Sequence, residues 1–183
     1  MRFNFSEVAQ TAKEQLTSTA VTPSSPLIES RSILAKLPSL ALSLTQPWGT
    51  GIIYLLKLFE TRSWSTTYRG WIFIHAAKGY PGYAREFAAD EIKAGRITPN
   101  IPTGCIIGLA NLTAIYSTNN LEFVSKLSDQ EKRWGDYSPN RFAWKLEGAI
   151  GLAEPIPCKG ALSLWPVPVD VIAECKKQIK VEA

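Results

Sequence analysis

The sequence predicts a mixed α+β domain, mainly β, with five or six strands in a small, partly closed β-barrel and helices packed around its outside. Three observations lead there. Short apolar and branched runs, "SLALSL", "WIFIHAA" and "CIIGLANLTAIYS", recur from residue 39 onward and read as strands. Helical periodicity appears only in isolated stretches between them, without the regular strand-helix alternation of a doubly wound sheet. Closure into a barrel removes the edges that such short strands would otherwise expose.

Each element follows from its residues. Phe5, Val8, Ala9, Ala12 and Leu16 recur at helical spacing, so residues 5–17 predict a short amphipathic helix. "STAVTPSSPLIES" is a linker, because its prolines and serines do not continue a helix. Residues 1–38 are therefore taken as an N-terminal extension, 39–168 as the main domain and 169–183 as a C-terminal helix. "SLALSL" (39–44) is a short strand, and Pro47 suits the first turn of a helix, where its missing donor goes unneeded. Trp48, Ile52, Ile53, Leu55 and Leu56 form that helix's inward stripe. After Lys57 the period becomes two, which puts Leu58, Glu60 and Arg62 on one face and Phe59, Thr61 and Ser63 on the other. "TTYRG" turns the chain into the strand "WIFIHAA" (71–77). A helix over 81–94 carries Tyr83, Phe87 and Ile92 and ends at Gly95. A loop leads to the long strand "CIIGLANLTAIYS", and "SDQE" (128–131) has the capping-box pattern that opens a short helix. "FAWKLEGAIGLAEPIPCKG" supplies one or two more strands, and "VDVIAECKKQIK" closes with lysines near its C-terminal end, where the helix dipole favours them.

Length and composition narrow the function classes. The chain has 183 residues, 45% of them hydrophobic, enough for one domain with appendages. Its formal charge of +4 and pI near 9.0 are compatible with a polyanionic partner without requiring one. Cys105, Cys158 and Cys175 are an odd number without CxxC spacing, and His75 is the lone histidine. No disulfide framework, metal site or cofactor is expected from these, and a reducing, cytoplasmic setting fits them. No apolar run approaches the roughly 18 residues of a membrane span. The N-terminus lacks a hydrophobic signal core, and Glu7 and Glu14 count against a transit peptide.

Generic catalytic templates are missing: there is no GxGxxG, GxxxxGK[ST], GxSxG or HExxH. What stands out is "SLTQPWGTGIIYLLKLFETRSW" (43–64), an apolar helix framed by polar and aromatic residues. Gln46 precedes the helix, Lys57 ends it, and Glu60 and Arg62 follow on one strand face, so one turn of chain can bring four polar side chains together. The same charges would equally serve as a solvated surface with a local ion pair. Six tryptophans, at 48, 64, 71, 134, 144 and 165, pose a parallel choice between stacking single-stranded bases and filling the core. His75, on one strand face with Trp71 and Phe73, reads as an interior histidine that is also suited to proton transfer.

The segments "SLTQPWGTGIIYLLKLFETRSW", "TTYRGWIFIHAAK", "PTGCIIGLANL", "FAWKLE" and "PIPCKGALSLW" closely resemble the activating signal cointegrator homology (ASCH) domain over about residues 39–168. The QPW, K..E.RSW, YRG and KG....W motifs carry the likeness. The resemblance implies a PUA-like β-barrel with a cleft beside its first helix, lined by Gln46, Trp48, Lys57, Glu60, Arg62 and Trp64. It implies a nucleic-acid-binding module, for RNA or a single strand, or for a nucleotide-like ligand. On that basis Arg62, Arg69, Lys78 and Lys159 would meet phosphates, Trp48 or Trp64 would stack a base, and Gln46 with Glu60 would read polar base edges. The alternative is a hydrolase acting on RNA, a ribonuclease, or on a modified nucleoside, since some relatives resemble N4-acetylcytidine amidohydrolases. Lys57 would then be base or nucleophile and Glu60 would relay protons. Two departures stand against that alternative or alter its geometry. Glu60 occupies the place of the enzymes' threonine, with Thr61 beside it on the opposite face, and Leu55 stands where many relatives end the helix with glycine. A protein partner bound through the N-terminal helix or residues 160–168 remains a third option.

Overall fold

The computed structural model describes residues 37–179. The helix expected over 5–17 and all but the end of the linker fall outside these residues. The chain runs β1 (Leu40–Leu44), α1 (Trp48–Ile53), β2 (Phe59–Arg62), β3 (Gly70–Ala76), α2 (Gly82–Lys93), β4 (Cys105–Ser117), α3 (Leu121–Ser125), α4 (Asp129–Trp134), β5 (Phe142–Pro157), β6 (Leu164–Pro166) and α5 (Val169–Gln178). The strands make one six-stranded sheet in the order β2-β5-β4-β3-β1-β6. Only β1 and β3 run parallel; the other neighbours are antiparallel. The sheet curls into a half-barrel. Arg62 on the edge strand β2 donates from Nη2 to the backbone oxygen of Ser43 on β1 at 2.6 Å, a contact that a flat sheet in this order could not make.

Alternation along the strands sorts the core into two layers. Leu42, Leu44, Ile72, Ile74, Ala110, Leu112 and Trp144 pack on the face that receives Ile52 and Ile53 of α1 and Trp134 of α4. Ala41, Phe73, Ile106, Leu109 and Trp165 pack on the other, beneath Val171 and Cys175 of α5. Because both faces are covered, the central strands read as continuous apolar runs instead of alternating ones. Among the described residues no helix is long and apolar enough to cross a membrane.

Helix α1 is shorter than its apolar stripe suggests. Pro47 occupies the N-cap position, and the helix stops at Ile53, so Leu55 and Leu56 lie beyond it. It ends in a Schellman motif, with Leu55 at φ 58°, Leu55 N–H donating to the Ile52 carbonyl at 3.1 Å and Leu56 N–H to that of Gly51 at 2.9 Å. That is the left-handed closure a glycine ordinarily supplies, so the turn into Lys57 keeps the glycine geometry with a leucine in it. Gly51 itself is required by packing: a Cβ there would come within 2.5 Å of Trp134 Cζ3.

Two elements are additional to those predicted. The five-residue α3 is capped by Asn120, whose side chain accepts from Phe123 N–H at 3.1 Å, and the three-residue β6 pairs with β1. "FAWKLEGAIGLAEPIP" forms one continuous strand of 16 residues. In "SDQE", Ser128 caps α4 by accepting from Glu131 N–H at 3.1 Å, but the Glu131 carboxylate does not return to Ser128. It accepts instead from the backbone N–H of Leu58 at 2.6 Å and of Phe59 at 3.4 Å, and from Tyr137 Oη at 2.5 Å.

Candidate functional site

The segment after α1 descends through Lys57 into β2, and a cleft of about 740 Å³ opens beside it. Ser43 and Thr45 contribute from the end of β1, Trp48 from the start of α1, and Lys57, Glu60, Thr61, Arg62, Ser63 and Trp64 from the turn and edge strand. Tyr83 of α2 enters from one side, Arg133 and Trp134 of α4 and Arg141 before β5 from another, and Leu162 from the loop before β6.

Charge is concentrated in this hollow. Lys57 Nζ lies 2.8 Å from Glu60 Oε2, with the lysine side chain 2% exposed. Arg62 Nε lies 3.2 Å from Glu60 Oε1, an ion pair without the alignment of a hydrogen bond. Period-two geometry accounts for Glu60 and Arg62 sharing a face, although Thr61, placed by the pattern on the other face, also reaches the lining. Burial pushes the Glu60 carboxyl up, but Lys57, Arg62 and Arg141 together outweigh it and hold the group below its ordinary value. Arg141 donates from Nη2 to the Thr61 carbonyl at 3.2 Å and pairs with Asp136 at 3.3 Å. Arg133 is oriented from behind by Glu91, a fully buried carboxylate that accepts from its Nε at 2.9 Å and Nη2 at 2.7 Å and also binds Arg96.

The rest of the wall is aromatic. Trp48 stacks on Phe87 with 5.6 Å between centroids and lies 6.1 Å from Tyr83. Trp64 meets Trp144 edge-on at 4.6 Å. Trp144 and Trp134 are fully buried, whereas Tyr83 is 65% exposed and Leu162 92% exposed at the rim.

Behind the cleft, Ser43 is a junction. Its Oγ accepts from Trp165 Nε1 at 3.0 Å, donates to the Ala161 carbonyl at 3.0 Å and lies 3.1 Å from His75 Nδ1. His75 Nε2 lies 3.0 Å from the Cys158 carbonyl. A carbonyl only accepts, so the ring proton belongs on Nε2. Burial pulls the imidazole below its ordinary value, against the opposing bond to Cys158. A Cβ on Gly160 would stand 2.3 Å from His75 Cε1. The KG....W motif is thereby explained as packing, with Gly160 and Trp165 closing on His75.

The model of the ASCH domain family matches residues 42–156. This chain belongs to the ASCH family. Human Activating signal cointegrator 1 is 28% identical over 142 residues, covering 74% of this chain and 23% of that protein, so the ASCH chain spans about a quarter of its length. ASCH from Zymomonas mobilis, a solved structure, is 19% identical with a TM-score of 0.45, over 74% of this chain and 91% of that one. A tyrosine-to-phenylalanine variant of it gives 19% and 0.46, over 74% and 94%.

Of the residues singled out from sequence, Trp48, Lys57, Glu60, Arg62 and Trp64 line the ASCH cleft, while Gln46, Arg69, Lys78 and Lys159 are not among its lining residues. Gln46 is fully buried. Its Oε1 accepts from Thr50 N–H at 3.0 Å and its Nε2 donates to the Pro102 carbonyl at 2.9 Å, tying the start of α1 to the loop before β4. Arg69 is exposed and donates to the carbonyls of Thr66 and Tyr68; Lys78 and Lys159 are exposed as well. Tyr83, Arg133, Arg141 and Leu162 are cleft residues that sequence reasoning missed, and each comes from an element remote in sequence from "QPW".

Proposed function

We propose that this ASCH domain is a nucleic-acid-binding module that takes RNA or another single strand in the cleft beside α1. The observation that carries this is the pairing of surfaces within one hollow: Lys57, Arg62, Arg133 and Arg141 on its cationic side, Trp48 and Tyr83 on its aromatic side. Cations meet phosphates without regard to sequence, and flat rings stack bases that are not locked in a duplex. Gln46 has no part in base reading in this proposal, because its amide is engaged inside the protein.

Titration of labelled single-stranded RNA at several salt concentrations tests the proposal. With about three phosphates neutralised, log K falls against log salt with a slope of about −2. Arg62→Ala combined with Arg141→Ala reduces both affinity and slope; unchanged binding in that variant sinks the cleft assignment. The same samples separate binding from hydrolysis, since an enzyme would release cytidine from N4-acetylcytidine, or fragments from RNA, in a way that Lys57→Ala abolishes.

A further inference from the structure

We propose that the cleft selects a terminal phosphate monoester over an internal phosphodiester, so that it holds a phosphorylated strand end or a mononucleotide in preference to the middle of a strand. This rests on the nucleic-acid reading above and adds to it the chemical state of the phosphate.

The first ground is charge. Four cations, Lys57, Arg62, Arg133 and Arg141, line the cleft against two carboxylates, Glu60 and Asp136. Glu91 holds Arg133 from behind but is itself shared with Arg96, so the surplus of two positive charges is that of the lining side chains. Lys57 and Glu60 pair with each other, so the surplus rests on Arg62, Arg133 and Arg141, whose side chains are 24%, 46% and 29% exposed, and like charges gathered in one hollow favour an anionic guest. A diester brings one negative charge. A monoester brings nearly two once the pH exceeds its second pKa near 6.

The second ground is the donor inventory. Arg62 uses Nη2 on the Ser43 carbonyl and Arg133 uses Nε and Nη2 on Glu91, which leaves the Nη1 of each without a hydrogen bond among the described residues. The ammonium of Lys57 has two protons beyond its bond to Glu60. A group with three terminal oxygens satisfies such a set better than one with two.

The third ground is the distribution of cations outside the cleft. Arg69, Lys78 and Lys159, which would form a track for a continuing backbone, do not line it. Four cations meet within the hollow itself, below the exposed rim residues Tyr83 and Leu162.

The test uses anisotropy of short RNAs carrying either a phosphate or a hydroxyl at each end, with the label on the opposite end, and adenosine monophosphate and inorganic phosphate as competitors. The phosphorylated end binds about tenfold tighter near neutral pH, as one or two charge-assisted hydrogen bonds allow. That advantage shrinks as the pH falls through about 6 while the hydroxyl-ended control, which contains only diesters, lacks the step. Arg141→Gln, with its fold checked by circular dichroism, lowers the advantage more than it lowers binding of the control. Competition by the free mononucleotide together with a preference for phosphorylated RNA marks a strand-end site; competition without that RNA preference marks a free-nucleotide site, and both outcomes support monoester selection. Equal binding of phosphorylated and hydroxyl-ended RNA, with no competition by adenosine monophosphate or inorganic phosphate, overturns this inference and leaves the nucleic-acid reading intact. Failure of every RNA to bind at low salt overturns that reading as well.

Discussion

Leu55 holds the left-handed turn on which the rest of the site depends. A branched or bulky residue resists positive φ, and left-handed backbone costs about 1–2 kcal/mol in a residue with a Cβ, yet at φ 58° Leu55 delivers the chain into Lys57 within four residues of α1's last turn. Leu55→Val, which keeps the apolar character and adds branching at Cβ, is expected to lower stability by about 1–2 kcal/mol. Leu55→Gly, which frees the backbone but removes a half-buried side chain, is expected to lie within about 1 kcal/mol of the parent. Urea midpoints at constant m-value measure both; equal losses for the two variants would show that side-chain packing, and not the turn, governs this position. The sequence likeness marked Leu55 as a departure from glycine, and the structure shows this leucine in the left-handed conformation that a glycine adopts without strain.

At the level of elements, α4 is the support of the edge strand. Glu131 reaches from α4 to the N–H groups of Leu58 and Phe59 at the head of β2, which closes off donors that an exposed strand edge would otherwise present. Glu131→Ala is expected to reduce stability by about 2–3 kcal/mol, in line with loss of charge-assisted bonds to a partly buried backbone. Amide hydrogen exchange should rise most at Leu58 and Phe59; unchanged exchange there would remove Glu131 from this role. "SDQE" announced the helix correctly, since the Ser128 cap is a local matter, but local rules could not show that the carboxylate finds better partners on a strand 73 residues away. The same limit separates the legible elements from the others. β1, β3, β4 and α2 carry enough periodic apolar residues to declare themselves. β6 has three residues defined only by pairing with β1, and α3 rests on an Asn120 cap and one turn. The cleft divides likewise: its α1-β2 side is contiguous in sequence, while Tyr83, Arg133 and Arg141 arrive through tertiary packing that no spacing reveals.

For the whole molecule, acid should loosen the fold in two stages. His75 titrates below its ordinary 6.5 because it is buried, despite its bond to Cys158. Unfolding restores the ordinary value, so below about pH 6.5 the unfolded chain binds the extra proton and stability falls as the pH falls toward the folded value. Glu91, held down first by its hydrogen bond to Arg96 and then by Arg133 against the effect of burial, and Glu60, where the cations outweigh burial, titrate below 4.5. Their contribution is present above about pH 4.5 and is lost as the pH falls through their folded values. Urea midpoints followed from about pH 8 to about pH 3 should therefore decline in two steps, and His75→Gln should remove the first; a first step that persists in that variant would exclude His75 as its source. The curl of the sheet has a consequence of its own. The seam between β2 and β1 is fastened by the Arg62 guanidinium on the Ser43 oxygen, and the same guanidinium faces the hollow. A guest that took Nη2 from the Ser43 oxygen would unfasten that seam, so the tightest guest would be one held through the remaining donors while the clasp stays shut.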